Sequence, residues 1–257
     1  MQKIQARYYT KGRVRPVRLI VCHSMEAPEK PTTAEAVARW FATSSPRTST
    51  HVNVDNNSMV RSVDDGDTAW CAPNANADGL HVELTGYARQ TRTEWLDAFS
   101  RATLANAAKV VARWCKKYKI PVRKLTPSEV AAGKKGICGH VDVTRAYPGT
   151  GDHTDPGKHF PWDVFLSMVR AELGDKPAAP PRFTRVLVYT KGKAFLRGAD
   201  VEAFQARLAD HGIDVEVDGV YGPATVKGTS ALQRRLGFIV TGTVDKATWK
   251  AAFAKAA

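Results

Sequence analysis

The chain has no apolar run of about 20 residues, the length a membrane-crossing helix requires, and its mean hydropathy is -0.32 over 257 residues. Membrane insertion is therefore not expected. The opening residues, Met1-Gln2-Lys3-Ile4-Gln5-Ala6-Arg7, lack the apolar segment that directs secretion, so accumulation in the cytoplasm of the producing cell is the expectation. Cysteine is sparse. Cys22, Cys71, Cys115 and Cys138 form no CxxC pair and no dense framework, which argues against a disulfide-stapled scaffold. Cys22 adjoins His23 and Cys138 stands two before His140, but strand neighbours point to opposite faces and alternate residues sit about 6–7 Å apart. Both are expected to pack rather than to ligate. RNP-like, zinc-finger and helix-turn-helix signatures are missing too. The net charge of +13 calls for a polyanionic partner, but the basic residues are spread along the chain and no nucleic-acid partner is expected.

What is present suggests two domains. Asp175-Lys176-Pro177-Ala178-Ala179-Pro180-Pro181 reads as a semi-rigid spacer, dividing residues 1–174 from 185–257 with a linker over 175–184. In the first part, Val17–His23 reads as a buried strand. Thr32-x-x-Glu35 is a capping box opening a helix that carries Val37, Trp40 and Phe41. Short strands around His51–Asp55 and Met59–Val63 flank a turn, and Gly79–Gly86 alternates, with His81, Glu83 and Thr85 on the polar face. A long helix is expected from about Thr93 to Tyr118, a strand over Gly136–Val143 and a helix over Pro161–Leu173. This predicts an α/β fold, a mixed central sheet flanked by helices. The tail reads as three helices, and its turns at Asp218–Thr225 and Thr241–Thr248 are similar enough to suggest a pseudo-repeat.

His140 and, fifteen positions on, Asp155 supply an imidazole and a carboxylate, and His23 ends an apolar run. Three such groups with a fourth position open are what a hydrolytic zinc site requires. His153 is the alternative third ligand, with Asp155 then serving the Asp-Pro turn.

Several segments together resemble the zinc N-acetylmuramoyl-L-alanine amidases that share the peptidoglycan-recognition-protein fold, over roughly residues 15–174. They are His23-Ser24, Thr68-Ala69-Trp70, Leu80–Gly86, Gly139-His140-x-Asp142, Asp155-Pro156-Gly157 and Phe160-Pro161-Trp162. Residues 195–257 resemble the type 1 peptidoglycan-binding domain through Gly198-x-Asp200-Val201-x-x-Phe204-Gln205-x-x-Leu208, Asp218-Gly219-x-Tyr221-Gly222-x-x-Thr225 and Thr248-Trp249. The combination looks like a bacteriophage endolysin.

The resemblance implies Zn2+ held by His23, His140 and Asp155, peptidoglycan as partner, and hydrolysis of the bond between N-acetylmuramic acid and L-alanine. It also implies a monomer that waits in the host cytoplasm until the membrane is permeabilised and then reaches the cell wall. Glu83, on the polar face of an apolar strand, is the candidate general base. His153, where relatives often carry lysine, would stand beside the scissile carbonyl as an imidazolium or imidazole donor. Thr50 replaces a tyrosine and Cys71 a histidine found in some relatives. Trp70 and His51 are candidate groove contacts, each with core packing as the alternative; His81 is weighed the same way. Tyr221 and Trp249 are candidate wall contacts on the same terms. The rival readings are a bacterial autolysin or recycling amidase, and a non-catalytic peptidoglycan-recognition protein.

Overall fold

The computed structural model describes residues 1–43, 47–149, 151–174, 182–211, 213 and 215–254. It divides into two compact units, Met1–Lys176 and Pro177–Ala257. The proline-rich spacer over 175–181 lies outside the described residues. No helix among those described is long and apolar enough to cross a membrane.

The first unit runs β1 (Gln2–Lys3), β2 (Leu19–Ser24), α1 (Thr33–Thr43), β3 (Val52–Val54), β4 (Met59–Arg61), β5 (Gly79–Leu84), α2 (Arg92–Trp95), α3 (Ala98–Tyr118), α4 (Pro127–Ala131), β6 (Gly136–Gly139), α5 (His140–Ala146) and α6 (Trp162–Glu172). Its six strands form a mixed sheet in the order β1-β4-β3-β5-β2-β6, antiparallel only between β3 and β4. Alternation sorts the two faces of the central strands. Ile20 and Cys22 of β2 join Leu80, Val82 and Leu84 of β5 in the main core, packed with Leu104 and Val111 of α3 and Phe165 of α6. On the reverse face Leu19 and Val21 pack with Leu125, Val130 and Val143. That second cover stops short of the strand ends, which leaves His23 and Glu83 free to face a cleft.

Two boundaries differ from the sequence expectation, and at each of them, as at the start of α1, a carboxylate decides. The single helix from Thr93 is broken, because Asp97 adopts an extended conformation and its side chain accepts from Ser100 N–H, opening α3. The strand expected over Gly136–Val143 ends at Gly139, where the Asp142 carboxylate takes the Gly139 N–H at 2.7 Å and α5 begins. The start of α1 is held by Asp55, whose Oδ2 accepts from Ala34 N–H at 3.1 Å.

The second unit holds β7 (Leu196–Arg197), α7 (Ala199–Asp210), β8 (Val220–Tyr221), α8 (Pro223–Arg235) and α9 (Lys246–Ala252). It is small and mainly helical, with Phe204, Leu208, Tyr221, Leu232 and Trp249 in its core. The pseudo-repeat has a physical form. Gln205 Nε2 donates to Val220 O and Thr225 Oγ1 while its Oε1 accepts from Gly219 N–H. Gln233 does the same with Thr243 O, Thr248 Oγ1 and Gly242 N–H.

Candidate metal centre and cleft

Strand register builds the centre. His23 of β2 pairs with Glu83 of β5, and Cys22 pairs with Gly139 of β6, so His140, the next residue and the first of α5, comes to His23. Asp155 returns on the loop that follows α5, fastened by Val141 N–H donating to its carbonyl at 3.0 Å. This closure needs glycine at two points. A Cβ on Gly139 would lie 2.7 Å from Pro156 Cδ, and Gly157, at φ +102°, has the Ala88 carbonyl oxygen 2.0 Å from where a Cβ would stand.

His23 Nδ1 lies 3.0 Å from Asp155 Oδ2 and His140 Nδ1 lies 3.3 Å from Asp155 Oδ1. One donor atom from each of the three falls within 4.8 Å of the others, and all three residues are buried. Burial works against the charge of Asp155, but hydrogen bonds from His140 and His23 outweigh it and hold the carboxyl well below the usual range. Burial lowers the pKa of His140, partly offset by Asp155. Two imidazole nitrogens and one carboxylate are ligands a divalent metal takes, so the donor set fits one. His153 stacks on His140 with ring centroids 3.8 Å apart, while its Nδ1 is 3.7 Å from Asp155 Oδ1. Asp155, not His153, completes the close-set group.

Glu83 is buried, and its Oε2 has no hydrogen-bond partner among the described residues. Burial, then the charges of Asp155 and Glu26, push its pKa well above the ordinary carboxylate value, which suits a group that must take up a proton near neutrality. Burial and then the neighbouring His140 lower the pKa of half-exposed His153, which favours its neutral form.

These groups line a cleft of about 400 Å³, bordered also by Met25, Trp40 and Cys71. Trp40 was not legible as a cleft residue. Neighbouring positions on a helix diverge by about 100°, so Phe41 enters the core at 4% exposure while Trp40 stays 42% exposed.

His51 and Tyr221 are corrected as contacts, and Trp70 stands apart from this cleft. His51 is completely buried, with Nδ1 accepting from His81 N–H at 3.1 Å and Nε2 beside Arg13 and the Asp67 carbonyl. Burial and Arg13 depress its pKa to about 3. It packs and does not reach the cleft. Trp70 lies outside the cleft lining, its indole N–H donating to Thr10 Oγ1 and its ring stacked on Tyr8. Tyr221 is buried with its hydroxyl bound to Thr229 Oγ1 and the Gly242 carbonyl, so it supports the core of the second unit and offers no face to a wall polymer. Cys22 and Cys138 are buried in packing positions, as expected.

A family model described as N-acetylmuramoyl-L-alanine amidase matches residues 13–158, and one described as a putative peptidoglycan binding domain matches residues 197–252. The chain is 27% identical over 193 residues to N-acetylmuramoyl-L-alanine amidase CwlL of Bacillus licheniformis, covering 71% of this chain and 47% of that protein. It is 26% identical over 190 residues to a probable N-acetylmuramoyl-L-alanine amidase of the same species, covering 71% and 48%. The chain thus spans about half the length of the curated relatives it matches. Among solved structures, Staphylococcus aureus hydrolase AmiA in complex with its ligand aligns with a TM-score of 0.52 at 17% identity, over 68% of this chain and 85% of that one. That likeness is one of fold.

Proposed function

This chain belongs to the N-acetylmuramoyl-L-alanine amidase family, and on that premise we propose that it is a zinc enzyme hydrolysing the amide between N-acetylmuramic acid and L-alanine in peptidoglycan. The observation that carries this reading is the close grouping of His23, His140 and Asp155 beside the buried, unpaired Glu83.

His23, His140 and Asp155 would hold the ion. When bound, zinc supplies Lewis acidity toward the amide carbonyl and toward water. The chain's own residues do the rest. Glu83, ionised and poorly solvated, takes the proton of the attacking water and delivers it to the departing L-alanine nitrogen as the C–N bond breaks and the C–O bond forms. Neutral His153, at the mouth of the cleft, donates a ring N–H toward the carbonyl oxygen as negative charge grows there. Trp40 offers an apolar face to the sugar.

Residues 197–252 support a second contact with the wall. We assign the chain the domain plan 1–174 amidase, 175–184 linker and 185–257 wall binding, acting as a monomer on peptidoglycan without nucleic acid or membrane insertion. The biological reading is a bacteriophage endolysin, held in the host cytoplasm until the membrane is breached. The Bacillus relatives favour a second reading, a bacterial wall amidase.

The test is digestion of purified peptidoglycan followed by mass spectrometry, with chelator and zinc add-back. New L-alanine amino termini beside intact glycan, lost with chelator and regained with zinc, are expected. Binding without cleavage would instead favour a recognition protein. Lysis of cells by the chain only when a pore-forming protein is co-expressed separates the endolysin from the bacterial reading.

A further inference from the structure

The two ring nitrogens of His23 have different neighbours. Nδ1 faces Asp155 at 3.0 Å, on the side of His140. Nε2 faces His81 Nδ1 at 3.1 Å, with Cys71 Sγ 4.0 Å away. A cation among His23, His140 and Asp155 needs a lone pair at His23 Nδ1. A neutral imidazole carries one N–H, so the proton must then sit on Nε2. With His23 at 2% exposure, water is poorly placed to receive it and a protein acceptor is needed. At 3.1 Å His81 Nδ1 lies within ordinary hydrogen-bond reach, whereas the sulfur stands at the outer limit.

His81 is itself fixed. Its N–H donates to His51 Nδ1 at 3.1 Å, its carbonyl accepts from Thr50 Oγ1 at 3.0 Å, and its ring stacks on His51 at an interplanar angle of 12°. We propose that His81 is a positioning residue that selects the His23 tautomer able to ligate metal, by accepting the Nε2–H of His23 at its own Nδ1. This rests on His23, His140 and Asp155 being the metal site. Outer partners of metal-bound histidines are commonly carboxylates or backbone carbonyls; here an imidazole takes that place, and its own proton is forced onto Nε2, which has no hydrogen-bond partner among the described residues. Without the cation the reverse pair of tautomers fits the same distances. Nδ1–H of His23 then donates to Asp155 and Nδ1–H of His81 donates to His23. Metal occupancy is thereby coupled to which nitrogen of His81 is protonated.

The experiment is a chelator-competition titration of zinc on the whole chain, on His81→Ala and on His81→Asn, whose side-chain carbonyl keeps an acceptor near the Nδ1 position. His81→Ala should bind zinc about 10–100-fold more weakly, and His81→Asn within a few-fold of the unaltered chain. Thermal unfolding of each variant in chelator separates lost ligation from lost folding. In parallel, 15N spectra of histidine-labelled unaltered chain should show His81 protonated at Nε2 once zinc is added. Unchanged affinity in His81→Ala, His81→Asn as weak as His81→Ala at equal stability, or Nδ1 of His81 still protonated with zinc bound would each overturn the proposal. If His81→Ala does not fold, the tautomer in the unaltered chain decides alone. Absence of zinc binding by the unaltered chain, or binding that survives Asp155→Ala, would instead remove the metal-site reading beneath it.

Discussion

Glu83 and His23 occupy paired positions on adjacent parallel strands, so the candidate base and a candidate ligand share one face of the sheet at the floor of the cleft. Neither depends on a loop for its placement. Exchange of the carboxylate for its amide should therefore separate chemistry from structure. In Glu83→Gln, hydrolysis should fall by about 10²–10⁴-fold while zinc affinity stays near that of the unaltered chain. Stability should rise at neutral pH. Burial raises the folded-state pKa above the ordinary 4.5, so between 4.5 and that raised value the folded chain keeps a proton that the unfolded chain releases. The fold weakens as pH rises through this window, and above it Glu83 is the buried, ionised base. Removing it should add on the order of 1 kcal/mol at pH 7, read by urea unfolding. Retained hydrolysis would dismiss Glu83 as the base.

Asp155 behaves in the opposite sense. Its folded-state pKa lies below the ordinary 3.8 because His140 and His23 outweigh its burial, so its contribution to stability is present above that value and is lost as pH falls. Asp155→Ala removes the charged member of the donor set and leaves two imidazoles. Zinc affinity should drop by more than the roughly 100-fold typical of losing an outer partner, measured by the same competition, and add-back should not restore hydrolysis.

Much of this site was readable in the sequence, and the exceptions have physical causes. Alternation along Leu80–Thr85 places His81 and Glu83 on one face whatever the tertiary context, and His23 follows from ending an apolar strand. The end of β6 was hidden, because Ile137, Val141 and Val143 alternate as well for a strand as for a strand followed by a helix. What decides is the Asp142 carboxylate on Gly139 N–H, a contact with no hydrophobic signature. His51 misled for a related reason. Its partner Arg13 lies 38 positions away, and only the fold brings a cation to a histidine that would otherwise suit a groove. The spacing of Val37, Trp40 and Phe41 announced a helix without saying which aromatic turns outward.

His51 also sets an acid limit. Its pKa of about 3 in the fold stands against an ordinary 6.5, so between those values the unfolded chain binds a proton that the folded chain refuses. Stability is intact above pH 6.5 and declines as pH falls through that window, by up to about 1.4 kcal/mol per pH unit from this group. Buried His81, also shifted downward by burial, acts with the same sign. His51→Asn should lower stability at pH 7 but flatten the slope between pH 6 and 4 by about one proton's worth. An unchanged slope would show that His51 is protonated in the fold.

In the second unit, Gln205 is 1% exposed and serves both a backbone carbonyl and a backbone N–H of the Asp218–Val220 turn. Gln205→Ala strands those groups inside the protein. A loss of about 2–3 kcal/mol is expected, seen as faster amide hydrogen exchange across α7 and α8. Exchange as slow as in the unaltered chain would mean that the turn holds without this bridge.

Trp40 tests the cleft itself. Its neighbours Ala38 and Phe41 bury against the core, so α1 should stay in place when the indole is removed. The indole borders the same cleft as the candidate metal ligands, and its exposed face is apolar. A pyranose ring laid against it would exclude water from roughly half of the indole, a gain of about 1–1.5 kcal/mol. This contact lies away from the bond that breaks, so it should bind substrate and transition state alike. Trp40→Ala is then expected to raise KM about tenfold on a soluble muramoyl-peptide while kcat stays nearly constant. A fall in kcat at constant KM would mean that the indole acts on the reacting amide. Unchanged values of both would place the sugar elsewhere, leaving the wall formed by α1 as packing for the histidine centre and not as a surface for substrate.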